Sequence, residues 1–446
     1  MKQDMTEGSI GKRLALFFLP IAAGTMFQQL YNAADAFIVG RFVGTVALAA
    51  VGGSAAMIIN VMLGFFVALS GGAGVIIAQF FGARDEESMK RATGTAVAFC
   101  LIAGVGLTAV GWLSAPLLLR LLKSPADTMA DSVIYLRIVF FGVTATLLYN
   151  VEAGILRAVG DSRSPFLYLL SCCLTNIVLD LLLVAVFGMG VAGAAIATVF
   201  SQLLSAVLST CKLLRSHESY RINPRGIRID RLLLRSMLHI GIPAGLQSSM
   251  YSVSNLILQV AVNVLGTTVV AAWTLSGKVD GMYWAFANAA GIAVTTFSAQ
   301  NYGAGRMDRV REGTKLSLRL FLLITLGFTA LLLTLGPKIL HLFSSDAEVI
   351  AATWEIMLYI VPFYFTWTFI EVLSGVLRGV GDAVVPAIIC GVGICLLRVL
   401  WVLTVCRIYP GLPALCICYP VSWIATDVAF IIRYRSGRWQ REKVRI

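Results

Sequence analysis

Apolar runs of about 20 residues recur along the whole chain, each long enough to cross the ~30 Å hydrocarbon core of a bilayer as a helix. Read between charged or Gly/Pro punctuation, they give about twelve spans, near 14–37, 46–72, 92–115, 131–156, 165–187, 191–211, 236–263, 268–298, 314–336, 349–376, 386–406 and 414–432. A β-barrel would show short alternating segments instead, and these are absent from the sequence. Composition agrees, with 58% of the 446 residues hydrophobic and 13% charged, against roughly a quarter charged in an ordinary soluble domain. The expected fold class is an all-α integral membrane protein with twelve transmembrane helices. Its longest polar stretch, 212–235, leaves no room for a soluble catalytic or ATP-binding domain.

The formal net charge of +12 would suit nucleic acid, but the basic residues sort by membrane side. With the N-terminus inside, the cytoplasmic segments hold most of them, from Lys2, Lys12 and Arg13 through the linker arginines to Arg441, Lys443 and Arg445. The outer segments hold Arg41, Arg120, Lys123, Lys338 and Arg407. This is the positive-inside bias. It predicts a multi-pass protein of the cell's inner (plasma) membrane with both termini cytoplasmic, whose partner is the lipid bilayer and not nucleic acid. The opening KRLALFFLPIAAG resembles a signal peptide, yet its apolar run continues through Gln28 towards Asp35 without a cleavage site, so it reads as a retained first helix. The nine cysteines show no Cys-x-x-Cys or Cys/His ligand spacing and read as small apolar filler. No structural metal or cofactor is expected.

The chain repeats itself. AQFFGARDEESMKRAT (78–93) matches AQNYGAGRMDRVREGT (299–314), LRAVGDSRSP (156–165) matches LRGVGDAVVP (377–386), and Pro116 matches Pro337, all at an offset of 221 residues. Pro20 and Pro243 stand 223 apart. The predicted organisation is two six-helix bundles related by a pseudo-twofold axis along the membrane normal. An N-terminal lobe covers 1–211, a basic cytoplasmic linker 212–235, and a C-terminal lobe with a basic tail 236–446. A cleft between the lobes is the natural place for a substrate. The repeated loops read as structural: Gly-Ala after each Ala-Gln turns the backbone out of the membrane, and Arg-x-x-Gly-Asp ends a helix with a cation near its C-terminus.

Some polar residues lack a repeat partner. Advancing Asp180 by 221 gives Trp401, Asn176 gives Leu397 and Thr198 gives Tyr419, while Asp35 lands among Leu256, Ile257 and Leu258. In TNIVLDLLL, Asn176 and Asp180 share a helix face at i and i+4. In FQQLYNAADAF, Gln28, Asn32 and Asp35 form one polar stripe with Tyr31 beside them. A charge at a helix centre costs roughly 2.5–3.5 kcal/mol on insertion scales, so such residues face a cavity or a partner. Two carboxylates in a low-dielectric site are relieved equally well by a proton or by a Na+ ion held among carboxylate, amide and hydroxyl oxygens. Asp35, Asn176, Asp180 and Thr198 are therefore the candidate cation-coupling residues, with the ion open between H+ and Na+. Glu152, Lys278, Asp280, Glu371 and Arg398 are weaker candidates, open between cleft lining, cargo binding and structural ion pairs. Asp427 reads as interfacial. Trp273, Tyr283, Trp284 and Trp367 suit stacking on flat aromatic cargo as well as packing or belt roles. Neither Gly11-Lys12 nor Gly277-Lys278 fits a phosphate-binding loop, since Arg13 and Val279 follow where Ser or Thr is needed. An ion gradient remains as the energy source.

With DAFIVGR after the first helix, AQFFGA and AQNYGA, LRAVGD and LRGVGD, and GVAGAAIAT, the chain resembles the multidrug and toxic compound extrusion (MATE) family over nearly its whole length. That family lies within the multidrug/oligosaccharidyl-lipid/polysaccharide flippase superfamily. The resemblance implies a V-shaped pair of six-helix bundles that alternates between inward and outward openings. It also implies export of amphipathic, often cationic compounds in antiport with H+ or Na+, by a protein that is not an enzyme and is expected as a monomer. In members with an ion site in the N-terminal lobe, the first-helix acid matches Asp35, the fifth-helix amide and acid match Asn176 and Asp180, and the sixth-helix threonine matches Thr198. Gln28 and Tyr31 match polar residues of that lobe's cavity, Asn32 extends the same stripe, and Pro20 matches a proline at which the first helix bends. Another branch carries a seventh-helix acid, and GIPAGLQSSMYSVSN has none. The competing readings are a lipid-linked oligosaccharide flippase, for which Arg398 and Lys278 would serve a pyrophosphate head group, and, more remotely, an intramembrane transferase. For the latter, His217, His239 and His341 are scattered and no spaced acid motif for a metal–diphosphate appears.

Overall fold

The computed structural model describes residues 3–440; Lys2 and the tail residues Arg441, Lys443 and Arg445 lie outside them. The described residues contain no strand and twelve long helices: α1 (Ile10–Phe42), α2 (Thr45–Ala83), α3 (Glu86–Leu121), α4 (Met129–Ala158), α5 (Arg163–Val186) and α6 (Gly190–Arg215), then α7 (Arg231–Val264) and α8 (Thr267–Gly303), then α9 (Met307–Phe343), α10 (Ala347–Gly379), α11 (Val384–Ile408) and α12 (Leu412–Arg435). Each expected span falls on one of them to within a residue. Ten are apolar enough to cross a membrane by composition alone. The other two, α7 and α8, have 34 and 37 residues, well beyond the roughly 20 a span needs, but are diluted by side chains such as Gln247, Asn255, Lys278 and Asp280. The outer faces are apolar: Leu113, Phe141, Val186, Leu323 and Ile388 stand exposed. Water would penalise such a surface and a hydrocarbon solvent does not.

The contacts divide the described chain into two units, residues 3–5 with 16–245 and residues 6–15 with 246–440. In the first unit α4 is the hub, packed against α2, α3 and α6. In the second its repeat partner α10 is the hub, packed against α8, α9 and α12. Glycine lets these helices approach closely. A Cβ on Gly72 of α2 would collide with the Met237 carbonyl and the Gly241 backbone of α7, and one on Gly111 of α3 with the Phe140 ring of α4. The linker stays with the first unit: the Thr95 hydroxyl donates to the Arg228 carbonyl at 3.2 Å and accepts from the Asp230 N–H at 3.1 Å.

The repeated motifs are punctuation. In both LR-x-VGD segments the glycine adopts a positive φ, 83° at Gly160 and 99° at Gly381. The aspartate then caps the next helix, Asp161 accepting from Ser164 N at 3.0 Å and Asp382 from Val385 N at 3.3 Å. Arg157 and Arg378 occupy the last turns of α4 and α10, where a cation is favourable. The turn after Ala-Gln differs in detail from expectation. Gly82 and Gly303 remain helical, and the chain reverses at Arg84 (φ 58°) and Gly305 (φ 70°), which occupy the same place in the repeat. The left-handed residue after the helix makes the turn, as at many helix C-termini. Asp85 then caps α3 by accepting from Ser88 N at 3.0 Å, a bond that holds its carboxyl below the usual carboxylate range.

Four helices depart from α geometry, α10 by a 3₁₀ turn at Val361–Phe363 and three others by π segments. In α2, Val51–Ala55 is wound as a π segment with Gly53 off the helix (φ −88°, ψ −125°). The Ser132 hydroxyl of α4 reaches across to the Ala50 carbonyl at 3.2 Å, as a break in a membrane helix requires. Leu181–Val186 in α5 and Gly391–Leu396 in α11 are the other π segments. α1 runs as one helix through Pro20.

Candidate functional site

The seven strongest polar candidates and Pro20 all lie in the first unit. Asp180 is the last α-helical residue of α5, directly before its π segment. π turns are rare and gather at functional positions. Asn176, one turn earlier, and Asp180 are both fully buried. Asp35, half-buried on α1, brings its carboxyl against that of Asp180.

What distinguishes this pair is what it lacks. Both Asp180 carboxylate oxygens, Asp35 Oδ1, and both amide atoms of Asn176 are buried without any hydrogen-bond partner among the described residues. Buried polar groups in folded proteins are almost always paired, and an unpaired carboxylate in a membrane interior is the costliest kind of exception. Two carboxylates facing each other offer only acceptors. A shared proton or an oxygen-ligated cation supplies what is missing. Burial and the neighbouring acid both act against two simultaneous negative charges.

The other predicted residues stand at varying distance from this centre. Tyr31 is within electrostatic reach of Asp35, and of Cys172 and Cys173 on α5. The Thr198 hydroxyl is half-buried on α6 and donates to the Ala194 carbonyl of its own helix at 3.0 Å, which leaves its oxygen free to accept. Gln28 is half-buried and Asn32 exposed, and neither hydrogen-bonds to the acids. Sequence reasoning missed Tyr135. It is buried on α4 and lies within electrostatic reach of both Asp35 and Asp180. A lone tyrosine in an apolar run carries no signal of its own. The position was legible only as the polar-tipped member of a hub helix.

The weaker candidates separate by their partners. Glu152, fully buried on α4, accepts from the Ser209 hydroxyl and from Thr210 Oγ1 at 2.6 Å. Its charge-bearing oxygens are thus satisfied within the first unit. In the second unit Asp280 accepts from the Tyr364 hydroxyl, Glu371 lies 3.6 Å from Arg378, and Lys278 is exposed. Arg398 is buried and bonds through Nε to Ser422 Oγ at 3.1 Å. Asp427 is 8% exposed, and among the described residues its Oδ1 is buried without a partner. Its place near the end of a span concealed that α12 turns this face inward. The four expected aromatics join a larger cluster. Tyr283 stacks on Tyr364 at 4.0 Å, Trp284 meets Trp367 edge-on at 4.9 Å, and Trp273 packs against Tyr419 at 5.9 Å. No group of three or more His, Cys, Asp or Glu side chains able to hold a metal occurs among the described residues.

Comparison with known proteins shows the family and the fold. The MatE family model matches residues 20–182 and 243–403, one copy in each half of the repeat. Among curated relatives, the probable multidrug resistance protein YpnP of Bacillus subtilis is 28% identical over 441 residues, 99% of this chain and 98% of that one. YoeA of the same organism, also a probable multidrug resistance protein, is 27% identical over 394 residues, covering 87% and 85%. An outward-facing multidrug resistance MATE transporter of the MOP superfamily superposes with a TM-score of 0.91 at 22% identity, covering 99% of each chain. At that identity the likeness speaks for the fold.

Proposed function

The chain belongs to the MatE family, a family of transporters and not of enzymes, and on that premise we propose that it is a secondary active exporter. Its cargo would be amphipathic, often cationic compounds, moved in antiport with H+ or Na+. Relatives named as multidrug resistance proteins support the cargo class. One observation carries the ion coupling: the buried, partnerless oxygens of Asp35, Asp180 and Asn176.

In this reading the Asp35–Asp180 pair alternates between a cation-bound and a cation-free state. Asn176 and the free acceptor of Thr198 complete an oxygen set for Na+, and a proton shared by the two acids serves equally. Tyr31 and Tyr135 limit the water that reaches the pair, with Gln28 and Asn32 on the approach to it. Cation binding moves the protein between inward- and outward-open forms only if the two forms differ in affinity for it. Pro20, which has no N–H to give to its helix, is a place where α1 can bend at low cost. The protein would work as a monomer in the cell's inner membrane with both termini cytoplasmic, residues 212–235 forming the cytoplasmic linker between an N-terminal and a C-terminal lobe.

The test is dye efflux from proteoliposomes under imposed pH or Na+ gradients, each applied alone. Gradient-driven efflux is expected to fall at least tenfold in Asp35→Asn and Asp180→Asn, with dye binding retained. Wild-type coupling in both variants would defeat the assignment. The two gradient arms choose the ion.

A further inference from the structure

The second unit contains a buried cation with no carboxylate partner among the described residues. Arg398, on α11 just after the π segment Gly391–Leu396, is 5% exposed. Of its five N–H groups, only Nε has a hydrogen-bond acceptor among the described residues, Ser422 Oγ at 3.1 Å. Ser422 in turn donates to the Tyr419 carbonyl at 2.8 Å. The guanidinium lies over the Tyr419 ring, 4.1 Å from its centroid, with the Trp423 ring at 5.9 Å. No carboxylate among the described residues pairs with it. Asp280 is engaged by Tyr364, Asp427 forms no ion pair with it, and the other arginines of this unit's inner surface that do pair use Glu371 and Asp382. Aromatic faces attract a cation but accept none of its remaining N–H groups.

A second orphan lies beside it. Trp423 is fully buried, and its indole Nε1 has no acceptor. Tyr419, Ser422 and Trp423 recur at i, i+3 and i+4 and share a face of α12. Trp423 sits among rings, with centroids of Trp284 at 6.0 Å, Trp367 at 5.9 Å and Tyr419 at 5.6 Å. The Arg398 Nη groups and Trp423 Nε1 neighbour each other with rings around them, and neither has an acceptor among the described residues.

The repeat sharpens this. Stepping back 221 residues, Arg398 becomes Ile177, Tyr419 becomes Thr198 and Trp423 becomes Gln202. On α5 and α6 of the first half the same region carries Asn176, Asp180 and Thr198. One backbone plan thus bears an acid–amide set in one half and an arginine–indole set in the other.

We propose that Arg398, Ser422 and Trp423, with the Tyr419 face, form a binding site for the anionic group of a flat aromatic ligand, a carboxylate, sulfonate or phosphate attached to a planar ring. Arg398 Nη and Trp423 Nε1 donate to the anion, and the rings around Trp423 cover its apolar body. A cationic ligand is repelled here. That this ligand is cargo rests on the exporter reading; that it binds does not.

The test is calorimetric titration of the full chain in nanodiscs of zwitterionic lipid, using 1-pyrenesulfonate and 1-pyrenemethylammonium, which share a ring and differ in charge. The sulfonate is expected to bind at least tenfold tighter than the ammonium. Arg398→Gln should weaken the sulfonate at least tenfold and Arg398→Lys less. Trp423→Phe, which keeps a ring and removes the donor, should weaken it severalfold, giving a second reading should Arg398→Gln fail to fold. Sulfonate affinity unchanged in folded Arg398→Gln, or in Trp423→Phe and Arg398→Lys together, would overturn the site. Phosphatidylglycerol added to the nanodiscs distinguishes sources: competition assigns the site to a lipid phosphate, and its absence to a soluble aromatic anion. No gradient is applied, so loss of coupling in Asp35→Asn or Asp180→Asn is read separately from this result.

Discussion

Asp180 and Glu152 are both acids with no exposed surface in the first unit, and their partners separate them. Glu152 is held by two hydroxyls of α6, whereas Asp180 and its neighbour Asn176 hold nothing. This difference makes Asn176→Leu an informative substitution, since leucine is what the repeat places at 397. Removing a hydrogen-bonded buried amide costs about 1–3 kcal/mol. Asn176 has no such bond to lose, so the melting temperature in detergent is expected to hold or rise. If the amide serves the cation, the driving-ion concentration for half-maximal efflux should rise about tenfold, the worth of one ligand at roughly 1.4 kcal/mol. A variant that melts lower and couples normally would return Asn176 to a structural role. The sequence could reveal that Asp35, Asn176 and Asp180 interrupt apolar runs. It could not reveal that α1 and α5 bring two of them face to face, or that Tyr135 comes within reach from a third helix. Those are facts of packing between separate helices, with Tyr135 lying 100 residues after Asp35 and 45 before Asp180.

At the scale of elements, twelve helices were readable because each must bury its own backbone hydrogen bonds in lipid, which forces long apolar runs. The π segments were not readable, because one widened turn leaves composition unchanged. Nor could hydropathy tell which glycines serve packing. Gly71 and Gly72 are adjacent on α2, yet a Cβ on Gly71 meets nothing within 4 Å, and one on Gly72 meets the backbone of Met237 and Gly241. Backbone atoms cannot rotate aside as a side chain can. Gly72→Ala is therefore expected to lower stability by about 1–3 kcal/mol, the usual cost of overpacking. Gly71→Ala should be neutral or stabilising by up to about 1 kcal/mol, through helix propensity. Thermal unfolding of the two purified variants, side by side, checks the contrast. Equal effects would mean that α2 and α7 do not pack backbone to backbone at this point.

Over the whole molecule, the 221-residue repeat shows in the fold as two units built around α4 and α10, while the chemistry departs from it: an acid pair in one half, an unpaired arginine in the other. Symmetry explains the scaffold, and its violations mark where to look for function. The repeat was legible because turns and caps constrain residue type strictly, as Gly160 and Gly381 do with their positive φ. Orientation in the membrane is an expectation that rests on charge alone, since a helix of leucines reads the same from either side. The rule predicts which side each loop occupies, and Cys211 provides a direct probe. Of the nine free cysteines it alone is exposed, at the end of α6 beside Lys212. Cys406, half-buried near the opposite end of a span, is best removed as Cys406→Ser. In that background a membrane-impermeant maleimide is expected to label Cys211 in inside-out vesicles and to leave it unmodified in intact cells. The reverse pattern would turn the whole topology over, placing the basic linker outside and, with it, the direction in which an imposed gradient drives the cargo.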